Sequence, residues 1–296
     1  LITMVKLGFD SKFLHQLESL KLLSQRAKKI HFEGERRGSR PGSGLEFVDY
    51  QQYQLGDDYR YIDWHLFSRL EQLFIKLFIE EEILRVFLII DRSASMSSGQ
   101  PSKLEYAARL AASLGYVALS NLDEVGGLIF SSCPEKILPP RRGRAQIFRL
   151  FKFLQGLSAH GRTNFNLSLS KFSQKQRHAG MAIIFSDLLD PNGYEEGLLA
   201  LRSRGWEISL IQVLEEQELE PDQAGEAVLI DRETGQRVET ILDEEILRRY
   251  RQEVRNFLEG IESFCKHYEI KYIRATTSLP LPEMLFKHLR KVRILK

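Results

Sequence analysis

The chain has 296 residues, of which 43% are hydrophobic and 28% charged, and its formal net charge is +2. This is the balance of an ordinary globular protein with one large domain or two modest ones, and the net charge argues neither for nor against a nucleic-acid partner. No apolar stretch reaches the length of a membrane span and the first residues lack a signal-peptide core, so we expect a cytoplasmic protein. Cys133 and Cys265 have no zinc or redox spacing, and we expect two buried, reduced thiols.

The first part of the chain is predicted to form a small region of mixed structure. Apolar residues at steps of three and four indicate a helix over residues 11–30. Glycine, proline and charged residues over 34–44 predict a loop, and the apolar run over 72–79 predicts a strand. We therefore place a smaller N-terminal region at 1–79.

From residue 83 onward, predicted strands and helices alternate. The strands cover residues 83–90, 124–131, 136–138, 181–186, 206–214 and 271–275. The helices cover residues 103–119, 145–155, 165–176, 194–203, 243–267 and 282–290. A hairpin is predicted over 226–240, with its turn at 233–236. This alternation predicts an α/β domain at 80–296, with a doubly wound, mostly parallel sheet.

The most informative segment is the apolar run at 86–90, which is followed by Asp91, Ser93 and Ser95. A strand without a polar face is typical of the buried centre of a parallel sheet. Ligands of such sheets bind at the carboxyl ends of the strands. One carboxylate and two hydroxyls form a hard-oxygen donor set, which is the kind that Mg²⁺ prefers.

Two further segments are predicted to reach the same edge of the sheet. Asp187 follows a second apolar strand, and Thr163 lies in a polar turn directly before a helix. The sequence therefore predicts one site for Mg²⁺ (or Mn²⁺ or Ca²⁺) built from five oxygen donors. These donors are Asp91, Ser93, Ser95, Thr163 and Asp187. A shell of this kind leaves a position open for a carboxylate from a partner protein.

This order of residues resembles the metal-ion-dependent adhesion site of von Willebrand factor A-type domains. The motif of that site is Asp-x-Ser-x-Ser, then a threonine, then an aspartate after an apolar strand, and all five positions are present here. The resemblance implies an A-type fold and a non-catalytic, metal-dependent protein-interaction site. Simple helix capping by Ser95, Ser97 or Ser98 and by Asp187 is the alternative interpretation.

An upstream signature resembles the bacterial family called domain of unknown function 58, whose members carry an A-type domain. Its pieces here are Gly44-x-Glu46-Phe47, Gly56-Asp57-Asp58-x-Arg60-x-Ile62-Asp63-Trp64, Arg69 and the acidic run at 80–82. The resemblance implies an adaptor for a MoxR-type AAA+ ATPase. Asp57, Asp58 and Asp63 can also be considered as a second metal site, but turn aspartates more often bond to nearby backbone or pair with Arg60 or Arg69.

Two other functions stay open from the sequence. A metal-assisted phosphoester hydrolase would use Asp91 as its nucleophile, but Ser93 stands where such enzymes carry an acid/base aspartate. Nucleic-acid binding would use two basic clusters, which lack interleaved aromatic residues. The clusters are Arg26, Lys28, Lys29, Arg36, Arg37 and Arg40, and Arg141, Arg142 and Arg144.

Overall fold

The computed structural model describes residues 9–24, 30–31, 45–57, 59–80, 83–221 and 225–296. The strands are β1 (Ile30–His31), β2 (Leu45–Gln52), β3 (Phe74–Glu80), β4 (Arg85–Asp91), β5 (Glu124–Phe130), β6 (Pro134–Arg141), β7 (Met181–Ser186), β8 (Glu207–Leu214), β9 (Gly225–Ile230), β10 (Arg237–Leu242) and β11 (Lys271–Thr276). The helices are α1 (Ser11–Leu17), α2 (Trp64–Leu70), α3 (Lys103–Ser120), α4 (Arg144–Leu154), α5 (Phe165–Lys175), α6 (Glu195–Ser203), α7 (Glu216–Leu219) and α8 (Glu244–His267). A last helical segment, α9, runs from Leu281 to Lys291 and is π-helical over Met284–His288.

A six-stranded sheet forms the centre of the larger unit, in the order β11-β8-β7-β4-β5-β6. Neighbouring strands are parallel except for β5 and β6, which are antiparallel. The predicted α/β class with a doubly wound, mostly parallel sheet is confirmed. In the register of β4 and β7, Ile90 lies opposite Phe185, so Asp91 comes level with Ser186 at the carboxyl ends of these two strands.

Both faces of this sheet are covered because its central strands carry apolar residues on both sides. On one face, side chains of α5, α6 and α8 join Phe87 and Ile89 in a single buried cluster. On the other face, α3 lies against the sheet so closely that a Cβ atom at Gly115 would stand 2.9 Å from the Leu88 side chain. A closely packed sheet of this kind fixes the strand ends that carry the candidate site.

Strands β9 and β10 form an antiparallel hairpin, in which Ile230 pairs with Arg237. The predicted hairpin is therefore present, and it extends to Leu242. Its strands expose several apolar side chains, namely Val228, Leu229, Ile230, Val238 and Ile241.

The first helix is shorter than the predicted span of residues 11–30. Helix α1 ends at Leu17, and the following residues pair with the end of the chain instead. The Lys21 N–H donates to the Lys296 carbonyl, and the Leu23 N–H donates to Ile294. The backbone of residues 21–23 forms these antiparallel hydrogen bonds in place of helical hydrogen bonds. The side chain of Leu22, between them, is buried.

The chain divides into two compact units, one of Ser24–Leu84 and one of Leu1–Leu23 with Arg85–Lys296. The smaller unit contains helix α2 and an antiparallel sheet in the order β1-β3-β2. The sequence placed the boundary at residue 80 and assigned the first helix to the smaller region. In the structure, α1 belongs with the central sheet, where Glu18 accepts a hydrogen bond from the Tyr116 hydroxyl of α3.

The structure bears on the expectations about the two cysteines and about membrane spans. Cys265 is buried as expected, whereas Cys133 is exposed, so the expectation of two buried thiols is wrong for Cys133. This residue follows the end of β5, where the chain turns toward the edge strand β6 and side chains face outward. Within the described ranges, no helix is long and apolar enough to span a bilayer.

Candidate metal site

The first part of the candidate site is the end of β4. Asp91 is 1% exposed, and its Oδ1 accepts a hydrogen bond of 2.9 Å from the Ser93 backbone N–H. The Ser93 and Ser95 hydroxyl oxygens lie 3.0 Å apart, at the start of a 3₁₀ turn over Ala94–Ser97. The three predicted oxygen donors of this segment are therefore close to one another.

The second part is the end of β7. The Ser186 hydroxyl donates to Asp91 Oδ2 at 2.7 Å, which ties the two strand ends together. Asp187 is also 1% exposed, and its Oδ1 accepts the Leu189 N–H at 3.1 Å. The parallel pairing of β4 and β7 thus brings the two predicted aspartates to one edge of the sheet, as expected.

The third part is the loop that carries Thr163. The Ala94 N–H donates to the Gly161 carbonyl at 2.9 Å, so this loop is bonded directly to the Asp91 segment. The Asn164 N–H donates to the Ser131 carbonyl at 2.9 Å, which anchors the loop to the end of β5. Thr163 is 7% exposed, and its Oγ1 is buried without a hydrogen-bond partner among the described residues.

Asp190 connects the second and third parts. Its Oδ2 accepts the Phe165 N–H at the start of α5 at 2.7 Å, and its Oδ1 accepts the Asn192 N–H at 2.9 Å. A carboxylate that accepts backbone N–H groups at a helix start stabilises that end of the helix. Asp190 thereby holds the Thr163 loop next to the segment that follows Asp187.

Lys103, the first residue of α3, is a site residue that the sequence analysis missed. Its side chain is fully buried, and its Nζ donates to Asp187 Oδ2 at 2.8 Å and to Glu218. Burial alone would lower the pKa of Lys103, but Asp187 and Glu218 raise it above the ordinary value. The ammonium group is therefore charged and neutralises part of the negative charge of this edge.

Glu233, in the turn of the β9–β10 hairpin, is the second residue that was missed. Its two carboxylate oxygens each lie 3.3 Å from the Thr163 backbone N, which donates to them. Burial raises the pKa of Glu233, the Thr163 N–H opposes this, and Asp187 and Asp190 raise it further. The sequence placed Glu233 in a turn, but only the fold brings that turn to the candidate site.

The balance of charge around Asp91 favours a cation. Burial, together with the neighbouring Asp187 carboxylate, raises the pKa of Asp91, and the hydrogen bonds from Ser186 and Ser93 only partly offset this. Neutral donors do not supply a compensating charge. Within the described part of the chain, no three His, Cys, Asp or Glu side chains form a metal cage by themselves. A cation at this edge would therefore also depend on hydroxyl oxygens.

The upstream aspartates have local partners instead of a shared centre. Asp57 Oδ2 accepts the Gln54 N–H at 2.9 Å, as expected for a turn, and Asp58 lies outside the described residues. Asp63 caps α2 and forms an ion pair of 3.0 Å with Lys76. The predicted partners of these aspartates were Arg60 and Arg69, so for Asp63 the structure assigns a different cation.

Of the two basic clusters that nucleic-acid binding would use, only one lies among the described residues. The basic cluster at 26–40 lies outside the described residues, while Arg141, Arg142 and Arg144 are exposed around the end of β6 and the start of α4. Hydrolysis by Asp91 and nucleic-acid binding both stay predictions, as does the cytoplasmic location.

Comparison with known proteins places the chain in a family. An uncharacterised protein of Mycobacterium tuberculosis, Rv1480, is 28% identical over 231 residues, which are 76% of this chain and 73% of that protein. The solved structure of the conserved hypothetical protein BatB from Bacteroides thetaiotaomicron is 20% identical, with a TM-score of 0.45, over 71% of this chain and 98% of that one. An aerotolerance-related membrane protein from Bacteroides fragilis is 18% identical, with a TM-score of 0.44, over 70% and 99% of the two chains. The sequence model described as protein of unknown function DUF58 matches residues 49–258, and the chain therefore belongs to the DUF58 family.

Proposed function

We propose that this protein is a non-catalytic, divalent-metal-dependent protein-interaction module. The cation would be Mg²⁺, or Mn²⁺ or Ca²⁺, and a Glu or Asp side chain of a partner protein would complete its coordination shell. The side chains that would hold it are the five predicted oxygen donors, namely Asp91, Ser93, Ser95, Thr163 and Asp187.

The observation that carries this proposal is the buried Oγ1 of Thr163, which has no hydrogen-bond partner among the described residues and lies on a loop bonded to the segment that follows the buried Asp91. Buried hydroxyl groups are nearly always hydrogen-bonded, so one that is not calls for a ligand or another explanation. A hard cation at this edge of the sheet would satisfy the Thr163 oxygen and would also compensate negative charge of Asp91 and Asp187. The donor set therefore fits a divalent metal.

Lys103 limits how the metal can be held. Both oxygens of Asp187 already accept hydrogen bonds, one from the Lys103 ammonium and one from the Leu189 N–H. Asp91 also accepts a hydrogen bond at each oxygen, but from neutral groups. The charged ammonium would oppose a divalent cation directly at Asp187, so Asp187 would take part through a bound water molecule. Mg²⁺ commonly retains several waters in protein sites, which agrees with such an arrangement.

The partner class follows from the family resemblance and not from the geometry. The resemblance to the DUF58 family implies an AAA+ ATPase of the MoxR type, for which this chain would act as an adaptor. A bound cation would attract a carboxylate of the partner, so recognition would be charge-assisted. Such recognition requires no chemical conversion of a substrate.

Metal binding by the purified full chain tests the proposal. Titration with Mn²⁺, followed by electron paramagnetic resonance, should detect one site. Asp91→Asn should weaken its affinity by about 100-fold, because a buried charged ligand contributes about 3 kcal/mol. Glu239→Gln, an exposed change of equal charge on the hairpin, should leave the affinity unchanged.

Partner capture provides the second measurement. Affinity capture from a cell extract in Mg²⁺ should recover a protein that is lost in EDTA and with Asp91→Asn. Mn²⁺ binding that is equal in the wild type and in Asp91→Asn, or capture that survives EDTA, would contradict the proposal.

A further inference from the structure

The hairpin turn has a conformation that presents Glu233 to the candidate site. Asp231 Oδ1 accepts the backbone N–H groups of Glu233 and Thr234 at 2.8 and 3.2 Å, and its Oδ2 accepts the Thr234 hydroxyl at 2.6 Å. These hydrogen bonds fix the turn around Asp231. The Glu233 side chain is thereby left free of the turn itself and extends to the Thr163 N–H.

The position of Glu233 matches the chemistry proposed for a partner. The module is expected to accept a carboxylate beside Thr163, and the chain supplies one there from its own hairpin. Its charge adds to those of Asp187 and Asp190, so the approach of Glu233 is unfavourable unless a hydrogen-bond donor or a cation compensates. The Thr163 N–H is the donor that the structure provides.

We propose that Glu233 is an intramolecular ligand of the cation site, bonded to the Thr163 loop without metal and drawn to the cation when it binds. This inference rests on the proposed function, since it assigns to one residue of the chain the role of the carboxylate that completes the shell. A partner's carboxylate would then have to displace Glu233, which makes the hairpin a built-in competitor for the partner.

The structure around the hairpin is compatible with such displacement. A cavity of about 770 Å³ lies between the hairpin and the start of α8, and it is lined by Leu229 and Leu242 from the hairpin and by Ile246 and Tyr250 from the helix. The hairpin therefore spans open space on this side instead of packing closely. A two-stranded hairpin contributes little stability of its own, so its turn can leave the site at a small cost in free energy.

The decisive experiment compares Glu233→Gln with Glu239→Gln in the full chain. Glu239 lies on the same hairpin and is exposed. Each variant removes one negative charge, so the two have the same net charge. We expect Glu233→Gln to weaken Mn²⁺ affinity about tenfold, and Glu239→Gln to leave it unchanged. In hydrogen–deuterium exchange, Mg²⁺ should protect residues 231–236 in the wild type and in Glu239→Gln, but not in Glu233→Gln.

The outcomes separate this inference from the proposal beneath it. If the wild type binds Mn²⁺ in an Asp91-dependent manner but both hairpin variants match it in affinity and in exchange, Glu233 is not a ligand and only the inference fails. If the wild type binds no Mn²⁺ through Asp91, the metal site itself is rejected and the inference falls with it.

Discussion

Two aspartates, one in each compact unit, show how differently a carboxylate can be held at the end of an element. In the smaller unit, Asp63 Oδ1 accepts the N–H groups of His65 and Leu66, and Oδ2 accepts the Tyr50 hydroxyl at 3.1 Å and the Lys76 ammonium at 3.0 Å. In the larger unit, Asp91 has one backbone N–H and the Ser186 hydroxyl. Asp63 has a cation of its own, whereas among the residues that the structure describes none forms an ion pair with Asp91.

The pKa values of the two groups move in opposite directions for this reason. The Lys76 ammonium lowers the pKa of Asp63 from 3.8 to about 2, whereas burial and the Asp187 carboxylate raise the pKa of Asp91. A carboxylate whose charge is already compensated needs no ligand, and its contribution to the stability of the folded protein accounts for its presence. A buried carboxylate beside a second one has an electrostatic reason to bind a cation, and this distinguishes the candidate site from the upstream aspartates.

The largest effect is expected at Lys103, because its ammonium group is the positive charge that the candidate site already contains. Lys103→Met should lower the free energy of unfolding by about 3–5 kcal/mol in EDTA, because it leaves the buried Asp187 carboxylate without its partner. Urea unfolding measures this. Lys287→Met, which removes an exposed ion pair with Glu283, should leave the stability almost unchanged.

A double variant shows whether the cost comes from the uncompensated charge. Lys103→Met combined with Asp187→Asn should recover a large part of the stability that Lys103→Met alone loses. If the two losses simply add, Lys103 acts by filling space in the core, and the proposed compensation of Asp187 is wrong.

A smaller effect, with opposite signs in the two metal states, is expected at Thr163. Thr163→Val removes a buried hydroxyl that has no hydrogen-bond partner in the described ranges. In EDTA the protein should therefore be as stable as the wild type or up to about 1 kcal/mol more stable. With metal present, loss of this oxygen should weaken Mn²⁺ binding about tenfold. Thr163→Ser keeps the oxygen and should retain the affinity. A clear loss of stability of Thr163→Val in EDTA would mean that the hydroxyl has a structural role.

Much of the candidate site could be predicted from the sequence, because its two aspartates lie at the ends of strands. The apolar runs before Asp91 and Asp187 predict buried parallel strands, and parallel strands bring their carboxyl ends to one edge. Thr163 could be added because it lies in the polar turn that comes before one of the predicted helices. These predictions use only local patterns and one rule of topology, and the backbone and burial of the central sheet agree with them.

Lys103 and Glu233 could not be predicted because their roles depend on where long side chains point. Lys103 reads in the sequence as a polar residue at the start of a helix, where exposure is the usual outcome. Its burial follows from the meeting of α3 with Asp187 and with Glu218 of α7, which are 84 and 115 residues away. Glu233 similarly reads as a solvent-exposed turn residue, and nothing local relates residues 225–242 to Thr163.

The smallest effect is expected at Asp63, and it has a defined dependence on pH. Since the pKa of Asp63 is lowered in the folded protein, its charge stabilises the smaller unit above the unfolded pKa of 3.8, and this contribution is lost as the pH falls toward about 2. Asp63→Asn should therefore increase hydrogen exchange in α2 at pH 7, and the difference from the wild type should disappear near pH 2. Lys76→Met should show the same pH dependence, and neither variant should change Mn²⁺ affinity. A change in that affinity would give the upstream signature a part in the metal site and remove the distinction between the two aspartates.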